Sequence, residues 1–142
     1  MKENIVCSGA LFYSTSTKRF LFLQRTDRKT QGLWGLVGGK SKFTESAFEG
    51  LKREIEEEVG DTPKFKKVIP LEMFTSNDQK FFFHTYLIAT ESEFIPKLSG
   101  EHSGYRWIAL ECWPKNLHMG LKNTLNNKAI KGKLQTILDL IV

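Results

Sequence analysis

Apolar residues occur along this chain in short runs that predict several strands and a few helices. Ile5–Tyr13 is apolar and predicts a buried strand, and Arg19–Arg25 predicts a second strand after the polar turn Ser14–Lys18. We expect these two strands to form a hairpin. Leu33–Val37 is again apolar and leads directly into a pair of glycines at positions 38 and 39.

The stretch that follows these glycines predicts an amphipathic helix. At about 100° per residue, one sector roughly 120° wide contains the apolar residues Ala47, Phe48, Leu51, Ile55 and Val59. Ser46 with Glu49 has the form of a capping box, and Thr44 is an alternative N-cap. Gly60 is suited to end the helix because glycine readily adopts the backbone conformation found there.

The remaining apolar runs predict three more strands and two more helices. The strands are expected at Lys64–Phe74, Lys80–Thr90 and Tyr105–Leu110, and the helices at Leu117–Leu125 and Lys128–Val142. This order of elements is typical of an α+β fold or an α/β/α sandwich, in which a mixed β-sheet is flanked by the helix after the glycine pair and by a C-terminal helix. We expect residues 1–142 to form one domain.

Composition and charge restrict the possible partners and the cellular location of the protein only slightly. The chain has 142 residues, 40% of them apolar, and a net charge of +5, which is compatible with phosphates, RNA or acidic surfaces as partners. Cys7 and Cys112 form no CxxC pair, and the chain shows neither a signal peptide nor an apolar run of membrane-spanning length. We therefore expect a cytoplasmic protein without a membrane partner, with a homodimer as the default assembly.

The predicted helix is rich in glutamate, whereas the chain as a whole is basic. Glu54, Glu57 and Glu58 fall together on one edge of its apolar sector, whereas Glu49 and Glu56 point to the other side and are expected to be solvated. Three like charges on one edge destabilise an isolated helix. Solvent screening can tolerate this, so a solvated patch remains one interpretation, and neutralisation by Mg²⁺ or Mn²⁺ is the other.

The spacing of the helix residues also forms a motif. Gly39, Glu45, Arg53-Glu54 and the residues up to Gly60 match G-x5-E-x7-R-E-U-x-E-E-x-G-U, where U is apolar, at eight of nine specified positions. The ninth position is Asp61. A match of this kind arises by chance with a probability on the order of 10⁻⁷. The chain therefore resembles the Nudix hydrolases, and MutT-like members in particular.

This resemblance implies an α/β/α Nudix sandwich and hydrolysis of a nucleoside diphosphate linked to another group, with Mg²⁺ (or Mn²⁺) and a water that attacks phosphorus. The implied metal ligands are Glu54, Glu57, Glu58 and the carbonyl of Gly38. Arg53 is implied to pair with Glu45 and so to orient the helix, although an ordinary surface salt bridge is the alternative.

The general base is left open by the resemblance. Glu57 and Glu54 are candidates within the helix. Glu101 is a candidate outside it, because it stands six residues before Trp107, where MutT-like members carry a loop glutamate. A solvated loop acid is the alternative for Glu101.

Three further residues are candidates for substrate binding. Arg25 resembles the phosphate-contacting arginine of the family. Lys40 either faces phosphate or is simply solvated, and Trp34 either stacks on a base or packs beside the motif.

The substrate class is inferred from missing markers. The chain lacks the proline of ADP-ribose hydrolases near Phe74–Ser76 and the tyrosine of diadenosine-polyphosphate hydrolases near Asn77–Asp78. This favours a nucleoside or deoxynucleoside triphosphate. The pattern Arg25-Thr26-x-Arg28-x-x-Gln31-Gly32-x-Trp34 and the segment His102–Trp107 also resemble GDP-mannose hydrolases. Those enzymes have an altered motif, whereas the motif of this chain is intact, so a nucleotide-sugar hydrolase is the second hypothesis. A Nudix-fold module that binds a nucleotide or RNA without cleaving it is the third.

Overall fold

A computed structural model of the chain describes residues 4–28, 31–117 and 119–141. These residues form a β-sheet with helices on both faces. The strands are β1 (Ile5–Ser14), β2 (Arg19–Arg25), β3 (Trp34–Gly35), β4 (Val37–Lys40), β5 (Phe65–Thr75), β6 (Phe81–Thr90) and β7 (His102–Ala109). The helices are α1 (Ala47–Val59), α2 (Met119–Asn126) and α3 (Lys128–Leu140), with a short 3-10 turn at Leu110–Cys112.

The sheet is mixed and is built around β1. Its main order is β3-β2-β1-β6-β5, while β4 pairs with β1 and β7 with β2. The pairing of β1 with β6 is parallel, and the other pairings are antiparallel. The predicted hairpin is present, with Tyr13 opposite Phe20. The predicted mixed sheet flanked by α1 and a C-terminal helix is therefore confirmed.

Both faces of the central strands are covered, which explains why their sequences are continuously apolar. On one face Ala10 and Phe12 of β1 pack with Leu51, Ile55 and Val59 of α1. On the other face Leu11 and Tyr13 pack in a second cluster, to which α2 and α3 contribute Leu121, Leu125 and Leu134. Alternation along β1 thus sends successive side chains into two separate cores.

Most predicted boundaries lie within two residues of the observed ones, but the last strand is different. β7 was expected at Tyr105–Leu110 and instead begins at His102, because the preceding residues pair with the end of β2, where Arg25 lies opposite His102. The two last predicted helices are present as α2 and α3. His118 and Val142, which they were expected to include, lie outside the described residues.

Candidate active site

The glycine pair before α1 lets two strands approach closely. Gly38 in β4 lies opposite Gly9 in β1. A Cβ atom at Gly38 would lie 2.0 Å from the carbonyl oxygen of Ser8, a distance that no side chain tolerates. Gly39 has a different neighbour, since a Cβ atom there would lie 2.6 Å from the carboxyl carbon of Glu54. The two glycines therefore bring the β4 backbone directly against the acidic edge of α1.

The start of α1 is fixed by Ser46 and not by Thr44. The Ser46 side chain accepts a hydrogen bond from the backbone N–H of Glu49, and the Glu49 carboxylate accepts one from the Ser46 N–H. This reciprocal capping box satisfies two N–H groups that the helix leaves free. At the other end, Gly60 adopts a φ of 76°, which favours glycine.

Arg53 is the centre of the charged network. Its Nε donates to Glu45 Oε2 at 2.8 Å and its Nη2 donates to Glu45 Oε1 at 2.9 Å. Nη2 also donates to the carbonyl oxygen of Lys40 at 3.1 Å. The expected Arg53–Glu45 ion pair is thus present and bidentate, and hydrogen bonding to Arg53 lowers the pKa of the Glu45 carboxyl to about 2. Arg53 therefore ties α1 to β4 and to the loop before the helix.

The same guanidinium also reaches Glu54 and Glu57, which together with Glu58 form the proposed metal edge of α1. Nη1 lies 3.2 Å from Glu54 Oε1 and 3.2 Å from Glu57 Oε2. The Glu57 side chain is 57% exposed, whereas that of Glu54 is 16% exposed. Burial raises the pKa of Glu54 above its ordinary value, against the opposing effect of Arg53. The positive charge of Arg53 is thus shared by two carboxylates, of which one is mostly buried and the other exposed.

Glu58 is the buried member of the edge. Its side chain is only 6% exposed, and its Oε1 accepts a hydrogen bond from the backbone N–H of Gly38 at 2.7 Å. Burial raises its pKa to about 8, the charges of Glu54 and Glu101 add to this effect, and the Gly38 N–H opposes it. Burial therefore favours the neutral form of this carboxyl group, and a bound cation would favour the charged form.

Glu101 and Arg25, both predicted from outside the helix, lie in this neighbourhood. The charge of Glu101 raises the pKa of Glu54 and of Glu58, while the charge of Arg25 lowers the pKa of Glu58. Arg25 also forms an ion pair with Asp27 at 3.1 Å. The backbone N–H of Thr26 donates to the Glu101 carbonyl at 3.1 Å, so the end of β2 is tied to the start of β7.

Lys40 and Trp34 have different surroundings. Lys40 is exposed at the end of β4, where its backbone already binds Arg53. Trp34 is 9% exposed and packs in the core on the α3 side of the sheet, opposite α1. The Arg106 guanidinium lies 5.8 Å from its ring centroid. Only a small part of the Trp34 ring is therefore open to a ligand.

Sequence reasoning missed an aromatic patch beside Gly9, made of Phe74, Phe81 and Phe83. Phe74 lies opposite Phe83 in the β5–β6 pairing, and its ring centroid is 6.3 Å from that of Phe81. A Cβ atom at Gly9 would lie 3.1 Å from the Phe83 ring. Phe74 is 51% exposed, so the patch is open to solvent next to the strand that pairs with Gly38. The run Phe81-Phe82-Phe83 was its only sequence signal.

The donor groups fit a hard divalent cation in their chemistry. Carboxylate and carbonyl oxygens are the ligands that Mg²⁺ and Mn²⁺ take. Glu54 and Glu101 disfavour the charged form of Glu58, which marks a concentration of negative charge that a cation would relieve. Across the part of the chain that the structure describes, no three acidic, histidine or cysteine side chains already stand in an ion-holding arrangement. Arg53 instead holds Glu54 and Glu57 by hydrogen bonds.

The clefts give a second view of the surface. A cleft of about 590 Å³ lies between α2, α3 and the segment 110–117, and it is lined by none of the predicted site residues. A smaller one of about 410 Å³ is lined by Glu56, Glu57, Gly60, Asp61, Lys97 and Leu98. The chemistry of the acids, not cleft size, therefore identifies the site.

No helix within residues 4–28, 31–117 and 119–141 is long and apolar enough to cross a membrane.

Comparison with known proteins gives a consistent result. A family model described as NUDIX domain matches residues 5–127. The chain is 33% identical over 109 residues to Nudix hydrolase 6 of Arabidopsis thaliana, an alignment that covers 72% of this chain and 38% of the plant protein. The chain therefore spans well under half the length of that relative.

Two solved structures are similar over nearly the whole chain. The MutT NUDIX hydrolase from Burkholderia pseudomallei is 25% identical with a TM-score of 0.72, and the alignment covers 89% of this chain and 99% of that one. The MutT protein from Methanosarcina mazei is 25% identical with a TM-score of 0.70, and the alignment covers 94% and 96% of the two chains.

Proposed function

Because this chain belongs to the Nudix family, we propose that it is a divalent-cation-dependent pyrophosphohydrolase, with a nucleoside or deoxynucleoside triphosphate as its substrate class. The observation that supports this most strongly is the network centred on Arg53, which joins Glu45, Glu54 and Glu57 in one hydrogen-bonded group. A merely solvated acidic helix face would not need a bidentate arginine to fix it.

The cation would be Mg²⁺ or Mn²⁺, held by Glu54, Glu57, Glu58 and the carbonyl of Gly38. When bound, such an ion neutralises phosphate charge and lowers the pKa of a water molecule. Because Gly38 N–H holds one oxygen of Glu58 and Gly39 leaves room for Glu54, these carboxylates are oriented before substrate arrives. Carboxylates that are already oriented would position the cation, and through it the phosphates, without rearranging. Phosphoryl transfer depends mainly on such positioning and on electrostatic stabilisation.

Side chains of the site would accept the proton of the attacking water and stabilise the leaving phosphate. The oxygen of a water forms a new bond to phosphorus, the bridging P–O bond breaks, and the displaced phosphate keeps that electron pair. Glu57, Glu54 or Glu101 accepts the water's proton. Of the two candidates on the helix, Glu57 is more exposed than Glu54. Arg25 and Lys40 offer positive charge to the departing phosphate, and the patch Phe74, Phe81 and Phe83 offers a stacking surface for a base.

The test is turnover of a substrate panel by the purified chain with Mg²⁺ and, separately, with a chelator. The panel contains nucleoside and deoxynucleoside triphosphates, GDP-mannose, ADP-ribose and capped RNA. We expect Mg²⁺-dependent release of phosphate or pyrophosphate from a triphosphate at the highest kcat/KM. Faster turnover of GDP-mannose would favour the nucleotide-sugar hypothesis. Binding of a panel member without any turnover would overturn the enzyme assignment.

Water labelled with ¹⁸O separates the two hydrolase hypotheses further. Attack at phosphorus places the label in a phosphate-containing product. Attack at the sugar carbon of a nucleotide sugar would place it in the released sugar. We expect the label in phosphate.

A further inference from the structure

His102 carries a buried polar atom that nothing in the proposed mechanism uses. Its side chain is 2% exposed, and its Nδ1 is buried without a hydrogen-bond partner among the described residues. An unpaired buried atom has lost the hydrogen bonds to water that it makes in the unfolded chain, so it calls for a physical explanation. The carboxyl oxygen that faces it is Glu58 Oε2, at 4.0 Å.

The two oxygens of Glu58 have unequal surroundings. Oε1 is anchored by the Gly38 N–H at 2.7 Å, whereas Oε2 faces His102 across a gap that is too long for a hydrogen bond. Closing the gap to a normal N–H···O distance requires a movement of about 1 Å. The carboxylate keeps lone pairs free for a cation even with both hydrogen bonds in place.

The backbone around His102 favours such a role. His102 is the first residue of β7 and lies opposite Arg25, where the pairing of β2 with β7 shifts its register. Its N–H donates to the Ser99 carbonyl at 3.2 Å, so the residue is held from its own loop as well as from β2. The backbone of His102 is thus held from two sides, and its Nδ1 lies 4.0 Å from an oxygen of Glu58.

We propose that His102 is a positioning residue for Glu58, and that its Nδ1–H donates a hydrogen bond to Glu58 Oε2 when Glu58 holds a divalent cation. The inference rests on the proposed function, because it assigns Glu58 to the metal. Hydrogen bonds to ligating groups fix their orientation, and their removal typically weakens metal affinity 10- to 100-fold. His102 itself makes no bond to the metal in this arrangement.

Two nearly isosteric variants test the hydrogen bond. His102→Asn retains an N–H donor near the position of Nδ1, and His102→Leu removes it. The dissociation constant for Mn²⁺ is measured by electron paramagnetic resonance of free Mn²⁺, without substrate, beside the thermal midpoint of each variant. We expect His102→Leu to weaken Mn²⁺ binding 10- to 100-fold and His102→Asn to stay within about threefold of the parent chain. The matched control is His84→Leu, a partly exposed histidine on β6, which should leave Mn²⁺ binding unchanged.

Equal affinity of a folded His102→Leu variant and the parent chain would overturn the proposal. An equal loss in both His102 variants would also overturn it, because a direct ligand or a space-filling side chain behaves in that way. If His102→Leu does not fold, ¹⁵N spectra of the parent chain with Mg²⁺ decide the question. A proton on Nδ1 supports the proposal, and an unprotonated Nδ1 overturns it.

These measurements involve no turnover and are therefore separate from the substrate panel. Mn²⁺ binding that depends on His102, in a protein that hydrolyses nothing, would leave this inference standing and overturn the hydrolase proposal. Turnover by a protein whose Mn²⁺ affinity does not depend on His102 would overturn this inference and leave the hydrolase proposal standing.

Discussion

Arg53 binds Glu45 through both of its carboxylate oxygens, at 2.8 and 2.9 Å, while its remaining nitrogen reaches Glu54 and Glu57. The bidentate contact with Glu45 fixes the plane of the guanidinium. An ion pair between the loop before α1 and the helix therefore holds the group that contacts two acids of the proposed metal edge.

The first prediction concerns this geometry. Arg53→Lys keeps the charge but loses the bidentate contact, because an ammonium has no planar fork. We expect kcat for the best substrate of the panel to fall by about 10²-fold, since a displacement of about 1 Å can have that effect. Steady-state kinetics measure the change. Lys52→Ala, an exposed neighbour on the same helix, is the control and should retain parent activity.

The second prediction concerns the space beside Gly39. In Gly39→Ala the new methyl group would lie 2.6 Å from the Glu54 carboxyl carbon, so this side chain must move. We expect a large loss of kcat with only a modest fall in thermal midpoint, because the clashing group is the end of a flexible side chain. Gly132→Ala is the control, since nothing lies within 4 Å of a Cβ atom there. It should stabilise α3 by about 0.5–1 kcal/mol and leave kcat unchanged. Normal turnover by Gly39→Ala would contradict the placement of Glu54.

The third prediction concerns pH in the metal-free protein. Burial raises the pKa of Glu58 from 4.5 to about 8, so between these pH values the folded state binds a proton that the unfolded state has lost. This contribution to the free energy of unfolding is fully present below pH 4.5 and is lost as pH rises to about 8. Urea unfolding with a chelator at pH 5 to 8.5 measures it.

Comparison with Glu58→Gln isolates this contribution. His102 acts in the opposite direction below pH 6.5, because burial and the Arg25 charge lower its pKa. We therefore expect the difference between the parent chain and Glu58→Gln to change steadily between pH 5 and 8. Parallel curves for the two proteins would contradict the burial of a neutral Glu58.

The fourth prediction concerns the aromatic patch. Phe74→Ala should raise KM about 5- to 20-fold with little change in kcat, which corresponds to the loss of one stacking contact of about 1–2 kcal/mol. Phe74 is 51% exposed, so its removal should have a small effect on stability. Ile95→Ala, which removes an 81% exposed side chain elsewhere, is the matched control. An unchanged KM for Phe74→Ala would exclude the patch from base binding.

The parts of this architecture that follow from neighbouring residues were predictable from the sequence. Ser46 with Glu49 and the later Gly60 bound α1 by local capping, and the apolar sector of α1 is the face that packs on the sheet. The spacing of the acids also led directly to the Nudix family, which the match over residues 5–127 confirms.

Features that depend on pairing between distant strands were not predictable. Nothing local indicates that His102 begins β7, because its place depends on pairing with Arg25 more than seventy residues earlier. The three acids also looked equivalent on a helical wheel. The structure makes Glu58 buried and Glu57 exposed, because only Glu58 lies against the Gly38 backbone.

The most direct test of the central claim replaces two adjacent glutamates one at a time. Glu57→Gln removes the charge of an acid assigned to the metal edge, whereas Glu56→Gln removes an exposed acid of the same helix that has no assigned role. Both are measured for Mg²⁺-dependent turnover of the best triphosphate substrate. We predict that Glu57→Gln abolishes turnover with an unchanged thermal midpoint and that Glu56→Gln retains parent activity. Retained turnover in Glu57→Gln would contradict the account.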